Sequence, residues 1–131
     1  MSARELAEAF WLAAGRDKVT FEILAASEIA PLENMCFHAQ QFLEKLMKCA
    51  LSLRGASFPR THDLVTLADL LIDAGSTVPV LADELDKLAP CGVLARYEGL
   101  SVGDIQRTEL LTILASAHRW AEQLRLTYSL P

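Results

Sequence analysis

Cysteine, proline and glycine are scarce in this sequence of 131 residues, which contains three cysteines, five prolines and six glycines. The three cysteines, Cys36, Cys49 and Cys91, are odd in number and form no CxxC pair, so neither a disulfide framework nor a structural zinc site is indicated. We expect them to be buried, reduced thiols. Most prolines and glycines lie between the regular apolar segments, which leaves those segments free to form continuous secondary structure.

A surplus of basic residues is also missing. The formal net charge is -5, which argues against a free-standing binder of duplex DNA, although a local basic patch is compatible with that total. No window of about 18 apolar residues lacks a charge, and Arg4, Glu5 and Glu8 interrupt the N-terminal apolar run. The sequence therefore predicts neither a membrane segment nor a signal peptide, and we expect a cytoplasmic protein.

Several common catalytic signatures are absent. The sequence has no glycine-rich phosphate loop, no GxSxG elbow and no HExxH motif, which are the usual marks of nucleotide, acyl-transfer and zinc chemistry. It also lacks the Glu-x-x-His pairs of di-iron helical bundles. We therefore expect no metal site and no cofactor.

Apolar residues recur every three or four positions along almost the whole chain, which is the spacing of amphipathic helices. We expect five helices, over about 3–27, 31–54, 61–74, 79–97 and 104–129, in a single domain over 1–131. Gly15 allows a bend, and Pro90 predicts a kink or break near Ala89. The pattern predicts an all-α fold, an antiparallel up-and-down helical bundle of four long helices plus one short helix.

The second predicted helix carries apolar residues on one face and polar residues on the opposite one, which are Asn34, His38, Gln41, Lys45 and Lys48. Two further polar pairs lie at predicted helix ends, Arg60 with His62 and Arg96 with Tyr97. Because the ends of neighbouring helices meet in a bundle, these groups are candidates for one polar site. An ordinary solvated helix face beside a capped turn is the alternative that the pattern leaves open.

At these positions the sequence resembles a known family. The segments that carry the resemblance are CFHAQQFLEKLMK at 36–48, RG at 54–55, FPRTHDL at 58–64 and ARY at 95–97. Together they resemble the HEPN domain (higher eukaryotes and prokaryotes nucleotide-binding), over roughly residues 5–128. The resemblance implies a helical bundle that forms a two-fold homodimer and pairs with a minimal nucleotidyltransferase, often as a toxin–antitoxin couple. The nucleotide-binding residues that it suggests are His38, Gln41, Lys45, Arg60, His62, Arg96 and Tyr97.

Many members of that family are metal-independent ribonucleases with an arginine, four to six residues and then a histidine. This sequence departs from the pattern, because seven residues separate Arg54 from His62 and one separates Arg60 from it. Metal-free RNA cleavage needs a base near the 2′-hydroxyl and a cation for the phosphate. Only His62 and Arg60 supply both together, and they are the candidate catalytic residues.

Three hypotheses follow. The first, which we adopt, is a nucleotide-binding or partner subunit of a nucleotidyltransferase–HEPN pair, with a nucleotide or RNA as ligand. The second is a toxin ribonuclease that uses His62 with Arg54 or Arg60. The third is a helical dimerisation scaffold without a ligand. For the dimer surface we expect Phe37 and Leu51, because both lie off the main apolar face of the second helix.

Overall fold

The computed structural model describes residues 1–94 and 105–131, and the regular structure in both ranges is helical, with no strand. The helices are α1 (Ala3–Ala26), α2 (Leu32–Leu53), α3 (Leu64–Asp73), α4 (Ala82–Leu88), α5 (Cys91–Leu94) and α6 (Arg107–Tyr128). The all-α prediction is confirmed. The predicted break near Ala89 is confirmed, because α4 ends at Leu88 and α5 begins only after Pro90, which has no N–H to continue the helical ladder. The arrangement of four long helices plus one short helix is not confirmed, since α4 has seven residues and Tyr97, the predicted end of the fourth helix, lies outside the described residues.

The other helix boundaries follow local signals in the sequence. Asp63 caps α3, where its side chain accepts a hydrogen bond from the N–H of Val65 at 3.1 Å. After α2, Gly55 has a φ of 67° and allows the left-handed turn that ends the helix. Gly15 produces no break, since α1 is continuous across it. The predicted cap of the last helix, Asp104, lies outside the described residues.

Helix α2 is the centre of the fold, because each of the five other helices contacts it. One side carries a conventional apolar core, and side chains of this core that are fully buried include Met35, Leu43, Leu46, Leu64, Leu67, Leu85 and Leu110. The opposite side of α2 is also largely covered. A helix enclosed in this way must satisfy its polar side chains inside the protein.

Helices α1 and α6 run in opposite directions and are joined at both ends. At one end the Arg4 guanidinium donates to the carbonyls of Tyr128 and Ser129 at 2.6 and 3.0 Å. At the other end Arg107 donates to the carbonyl of Ala25. Between these ties both helices pack on α2 more than on each other.

The three cysteines are buried and free of disulfides, as predicted. Burial raises the pKa of the Cys49 thiol to about 12. A hydrogen bond between Cys36 and Cys91 lowers the pKa of the first and raises that of the second. None of the helices in the two described ranges is long and apolar enough to cross a membrane.

The predicted dimer surface is only partly available. Leu51 is completely buried, so its assignment to a dimer surface is wrong. Its position off the main apolar face does not expose it, because α2 is covered on several sides. Phe37 is half-buried, with its ring edge-on to His38 and the two ring centroids 5.2 Å apart.

Candidate functional site

The polar side of α2 is organised by two buried carboxylates. One is Asp17 of α1, which is 7% exposed, and the other is Glu44 of α2 itself, which is 4% exposed. Neither was among the predicted site residues. Each carboxylate pairs with one lysine and one histidine, so two similar clusters lie along one helix.

The Asp17 cluster joins α1 to α2. Oδ1 of Asp17 lies 2.9 Å from Nδ1 of His38, and Oδ2 accepts a hydrogen bond from Nζ of Lys45 at 2.5 Å. His38 and Lys45 are two turns apart on α2, so one carboxylate reaches both. These two predicted nucleotide-binding residues are therefore brought together, with their polar atoms directed at an internal acid.

The sequence does contain a signal for Asp17. It stands between Ala14 and Phe21 at spacings of three and four, and all three are buried on the same side of α1. An acidic residue inside such a stripe requires an internal partner, because burying an unpaired charge is strongly unfavourable. An acidic residue within the apolar stripe of the first helix is therefore the sequence signal that marks Asp17.

The Glu44 cluster joins α2 to the segment that precedes α3. Oε1 of Glu44 lies 2.9 Å from Nδ1 of His62, and Oε2 accepts from Nζ of Lys48 at 3.2 Å. Gln40 completes the cluster, since its amide donates to Oε1 of Glu44 at 3.2 Å and to the carbonyl of His62 at 3.1 Å. Lys48, which the sequence places on the polar face of the helix, is 8% exposed, so the alternative of an ordinary solvated face does not hold at this residue.

His62 is the outward end of this cluster. Its side chain is 76% exposed, while Glu44 behind it is buried. An ionised carboxylate can only accept hydrogen bonds, so its contact with Nδ1 puts the proton of the neutral ring there. Nε2 is left free to face the solvent. A buried acid that fixes the tautomer of an exposed histidine is the arrangement used to orient a general base.

The remaining predicted residues are distributed as follows. Gln41 is near the clusters, donating to Oε1 of Gln40 at 2.7 Å. Arg60 is exposed two residues before His62, and no carboxylate within residues 1–94 or 105–131 forms an ion pair with it. Arg96 and Tyr97 lie outside the described residues. The contact between Glu44 and His62 places the polar side of α2 beside the Arg60–His62 corner, as the sequence predicts, while the predicted third group, Arg96, lies outside the described residues.

The site shows no arrangement suited to a metal ion. Among the described residues, no group of three or more histidine, cysteine, aspartate or glutamate side chains could hold one. In both clusters an ammonium group occupies one carboxylate oxygen. What the geometry offers instead is an oriented imidazole, with an exposed arginine two residues earlier in the chain.

Gly92 of α5 supports the Glu44 cluster from behind. A Cβ atom at this position would lie 2.9 Å from both Cδ and Oε1 of Gln40, closer than such atoms can approach. We expect Gly92→Ala to displace the Gln40 amide and so to alter the surroundings of His62. The change would appear as a shift of the His62 ring signals in a proton–carbon NMR spectrum.

Gly15→Ala is the matched control for that experiment. A Cβ at Gly15 meets no atom within 4 Å, so the His62 signals should stay where they are. His62 signals that are unmoved in Gly92→Ala would show that Gln40 does not position the ring.

Comparison with known proteins agrees with the helical architecture. The family model described as HEPN domain matches residues 7–124 of the 131-residue chain, a span that contains both carboxylate clusters. No curated protein and no solved structure matches the chain. Because the family model covers nearly the whole length, and HEPN is a helical fold, the chain belongs to the HEPN family.

Proposed function

We propose that this HEPN domain binds the phosphate group of a nucleotide or of RNA at the surface formed by Arg60 and His62. The observation that carries the proposal is the contact of 2.9 Å between buried Glu44 and exposed His62. It holds Nδ1 internally and directs Nε2 outward, from where the ring in its protonated form can donate a hydrogen bond to a phosphate oxygen. The domain would act as the nucleotide-binding, partner subunit of a nucleotidyltransferase–HEPN pair.

The local charge supports binding of an anion despite the negative total. Lys48 offsets the charge of Glu44, and Lys45 offsets that of Asp17. Arg60 then adds a positive charge at the surface, where a guanidinium can bind phosphate with two parallel hydrogen bonds. A protonated His62 would add a second.

The structure divides the predicted binding residues into two groups by their accessibility. Arg60 and His62 are exposed, whereas His38, Gln41 and Lys45 are half-buried and already engaged with internal partners. In the proposal the first two contact the phosphate. His38 and Lys45 join α2 to α1 through Asp17, and Gln41 holds the amide of Gln40.

The direct test is titration with AMP and with a short single-stranded RNA, followed by calorimetry and by the NMR signals of the His62 ring. We expect Arg60→Ala and His62→Ala each to weaken binding about tenfold, because a hydrogen bond to a charged group contributes about 1.5–3 kcal/mol. Arg119→Ala is the matched control, since Arg119 is exposed on α6. Binding that survives loss of both residues, or no binding at all, would refute the proposed site.

Pairing with a minimal nucleotidyltransferase and formation of a homodimer are further parts of the proposal. Both are tested by expressing the chain with the nucleotidyltransferase encoded beside it, purifying the complex and measuring its mass by light scattering. If the chain is a monomer and does not bind the nucleotidyltransferase, this part of the proposal is refuted. The proposed phosphate site is not affected by that result.

Metal-independent RNA cleavage is the second candidate function, and the oriented His62 is the observation that favours it. Nε2 would take the proton of a 2′-hydroxyl, and the 2′-oxygen would attack the adjacent phosphorus to form a 2′,3′-cyclic phosphate. The bond from phosphorus to the 5′-oxygen would break, the departing 5′-oxygen would take a proton from the solvent, and Arg60 would bind the negative charge that develops on the phosphate. The test is cleavage of single-stranded RNA in the presence of EDTA. Activity that persists in His62→Ala would exclude this residue, and activity that disappears would support the candidate.

A further inference from the structure

A second concave surface lies between α1 and α6, on the other side of α2. This α1–α6 groove has a volume of about 730 Å³, within the range of small-molecule sites. Its apolar part is lined by Trp11, Ala14, Phe42 and Ala121. Phe42 and Gln40 are about 200° apart around α2, so the groove and the His62 surface face different directions.

The groove exists because α1 and α6 are tied at their ends and held apart in the middle. Arg4 and Arg107 make the end contacts described above. Midway, the facing residues are small, with Ala14 and Gly15 on α1 and Ala121 on α6. The carbonyl of Pro131 accepts a hydrogen bond from the indole of Trp11 at 3.0 Å, which fixes this wall of the groove.

Gly15 opens the groove across the surface of α1. Glycine is unfavourable within a helix, and nothing within residues 1–94 and 105–131 requires it here. Its φ is not positive, and a Cβ would meet no atom within 4 Å. Its effect is to leave space among the neighbouring lining residues Trp11, Leu12 and Val19.

The rim of the groove is predominantly basic, although the chain is acidic overall. Four side chains of positive or potentially positive charge line it, Arg16, Lys18, His118 and Arg125, against a single acid, Glu122. Lys18 is paired with Glu22 and Arg125 with Glu122. In the described part of the chain, neither Arg16 nor His118 forms an ion pair.

We propose that the α1–α6 groove binds a small amphiphilic carboxylate, with its apolar body over Gly15 and its head group at Arg16 and His118. The apolar lining accounts for the body of the ligand. The guanidinium of Arg16, which forms no ion pair among the described residues, accounts for its charge, and the ring of His118 can donate a hydrogen bond to the same head group. An acyl chain and an aromatic ring both satisfy this chemistry. The site is independent of the phosphate surface proposed above.

The experiment uses dodecanoate and naphthalene-2-carboxylate as probes, and dodecanol as the uncharged analogue. Trp11 lines the groove, while the indole of the other tryptophan, Trp120, donates to Thr77 at 2.9 Å. In Trp120→Phe, fluorescence therefore reports on Trp11 alone. We expect at least one carboxylate to change this fluorescence and to bind at least tenfold more tightly than dodecanol. The stronger probe identifies the body as acyl or aromatic.

Gly15→Phe should fill the groove and weaken binding at least tenfold. Ala115→Phe puts the same side chain at an exposed position of α6 outside the groove and should leave binding unchanged. Likewise Arg16→Glu should weaken binding about tenfold, and Arg119→Glu should leave it unchanged. Circular dichroism confirms that each variant is folded. If Gly15→Phe is misfolded, the comparison of Arg16→Glu with Arg119→Glu decides whether the ligand binds in the groove.

Three results would overturn the proposal. The first is that neither carboxylate binds. The second is that Gly15→Phe or Arg16→Glu, shown to be folded, binds as well as the unmodified chain. The third is that light scattering shows a dimer which Gly15→Phe disrupts while no carboxylate binds, since a second copy of the chain would then occupy the groove.

Discussion

Replacing Glu44 with leucine is expected to lower the free energy of unfolding by about 3 kcal/mol, because removing one member of a buried ion pair leaves the other charge without compensation. Here the stranded charge is that of Lys48, whose side chain is only 10% exposed. Gln40 and His62 lose their carboxylate partner in the same change. Leucine is close to glutamate in size, so the loss reports on pairing more than on volume. Urea denaturation followed by circular dichroism measures it.

Two comparisons make this result specific. The double variant Glu44→Leu with Lys48→Met should recover most of the lost stability, since an apolar pair can replace a buried ion pair at little cost. Glu22→Leu removes the partner of Lys18 on the surface of α1 and should change stability by less than about 1 kcal/mol. Equal losses of unfolding free energy in Glu44→Leu and Glu22→Leu would show that the buried ion pair contributes no more to stability than the surface pair.

Replacing Leu43 with alanine is expected to lower the free energy of unfolding by about 3 kcal/mol, for a different reason. Leu43 is fully buried in the apolar core that surrounds α2. Truncating it removes apolar contacts and leaves a cavity beside α2. Because other helices pack on several sides of α2, the core can close this cavity only partly. Thermal and urea unfolding both give the difference.

Leu111→Ala provides the matched comparison, because it makes the same chemical change at a side chain on α6 that is 41% exposed. Its effect should be well under half that of Leu43→Ala. A similar loss at both positions would contradict the central place of α2 in the core. Leu43 and Glu44 are adjacent in α2 and lie on its apolar and polar sides. Replacing either one is thus expected to lower the free energy of unfolding substantially.

Local patterns in the sequence were sufficient for much of the fold. The positions of α1, α2 and α3 followed from spacing, and the break beside Pro90 followed from the missing N–H of proline. Apolar spacing continues on both sides of that break, and the structure has a separate short helix on each side of it, α4 and α5. A periodic pattern does not show whether the helix resumes in the same direction.

The polar site was predicted only in part. His62 and the polar residues of α2 could be chosen because the HEPN-like segments contain them, and the expected proximity of the two segments is confirmed. The acids that organise them were missed. Asp17 lies in a helix that carries no other residue singled out as functional. Glu44 lies on the polar side of α2, but helical periodicity distinguishes the faces of a helix without showing what covers each one.

The amino-acid sequence alone determined the helical character of the chain, the boundaries of its main helices and its likeness to the HEPN domain, because these depend on residues close together along the chain. Only the tertiary structure decided that both sides of α2 are covered and that two buried acids orient His38 and His62. The contacts of Asp17 with His38 and Lys45 join residues 21 and 28 positions apart, and that of Glu44 with His62 spans 18. Such pairings form when separate helices pack, and local spacing does not encode which partners will meet.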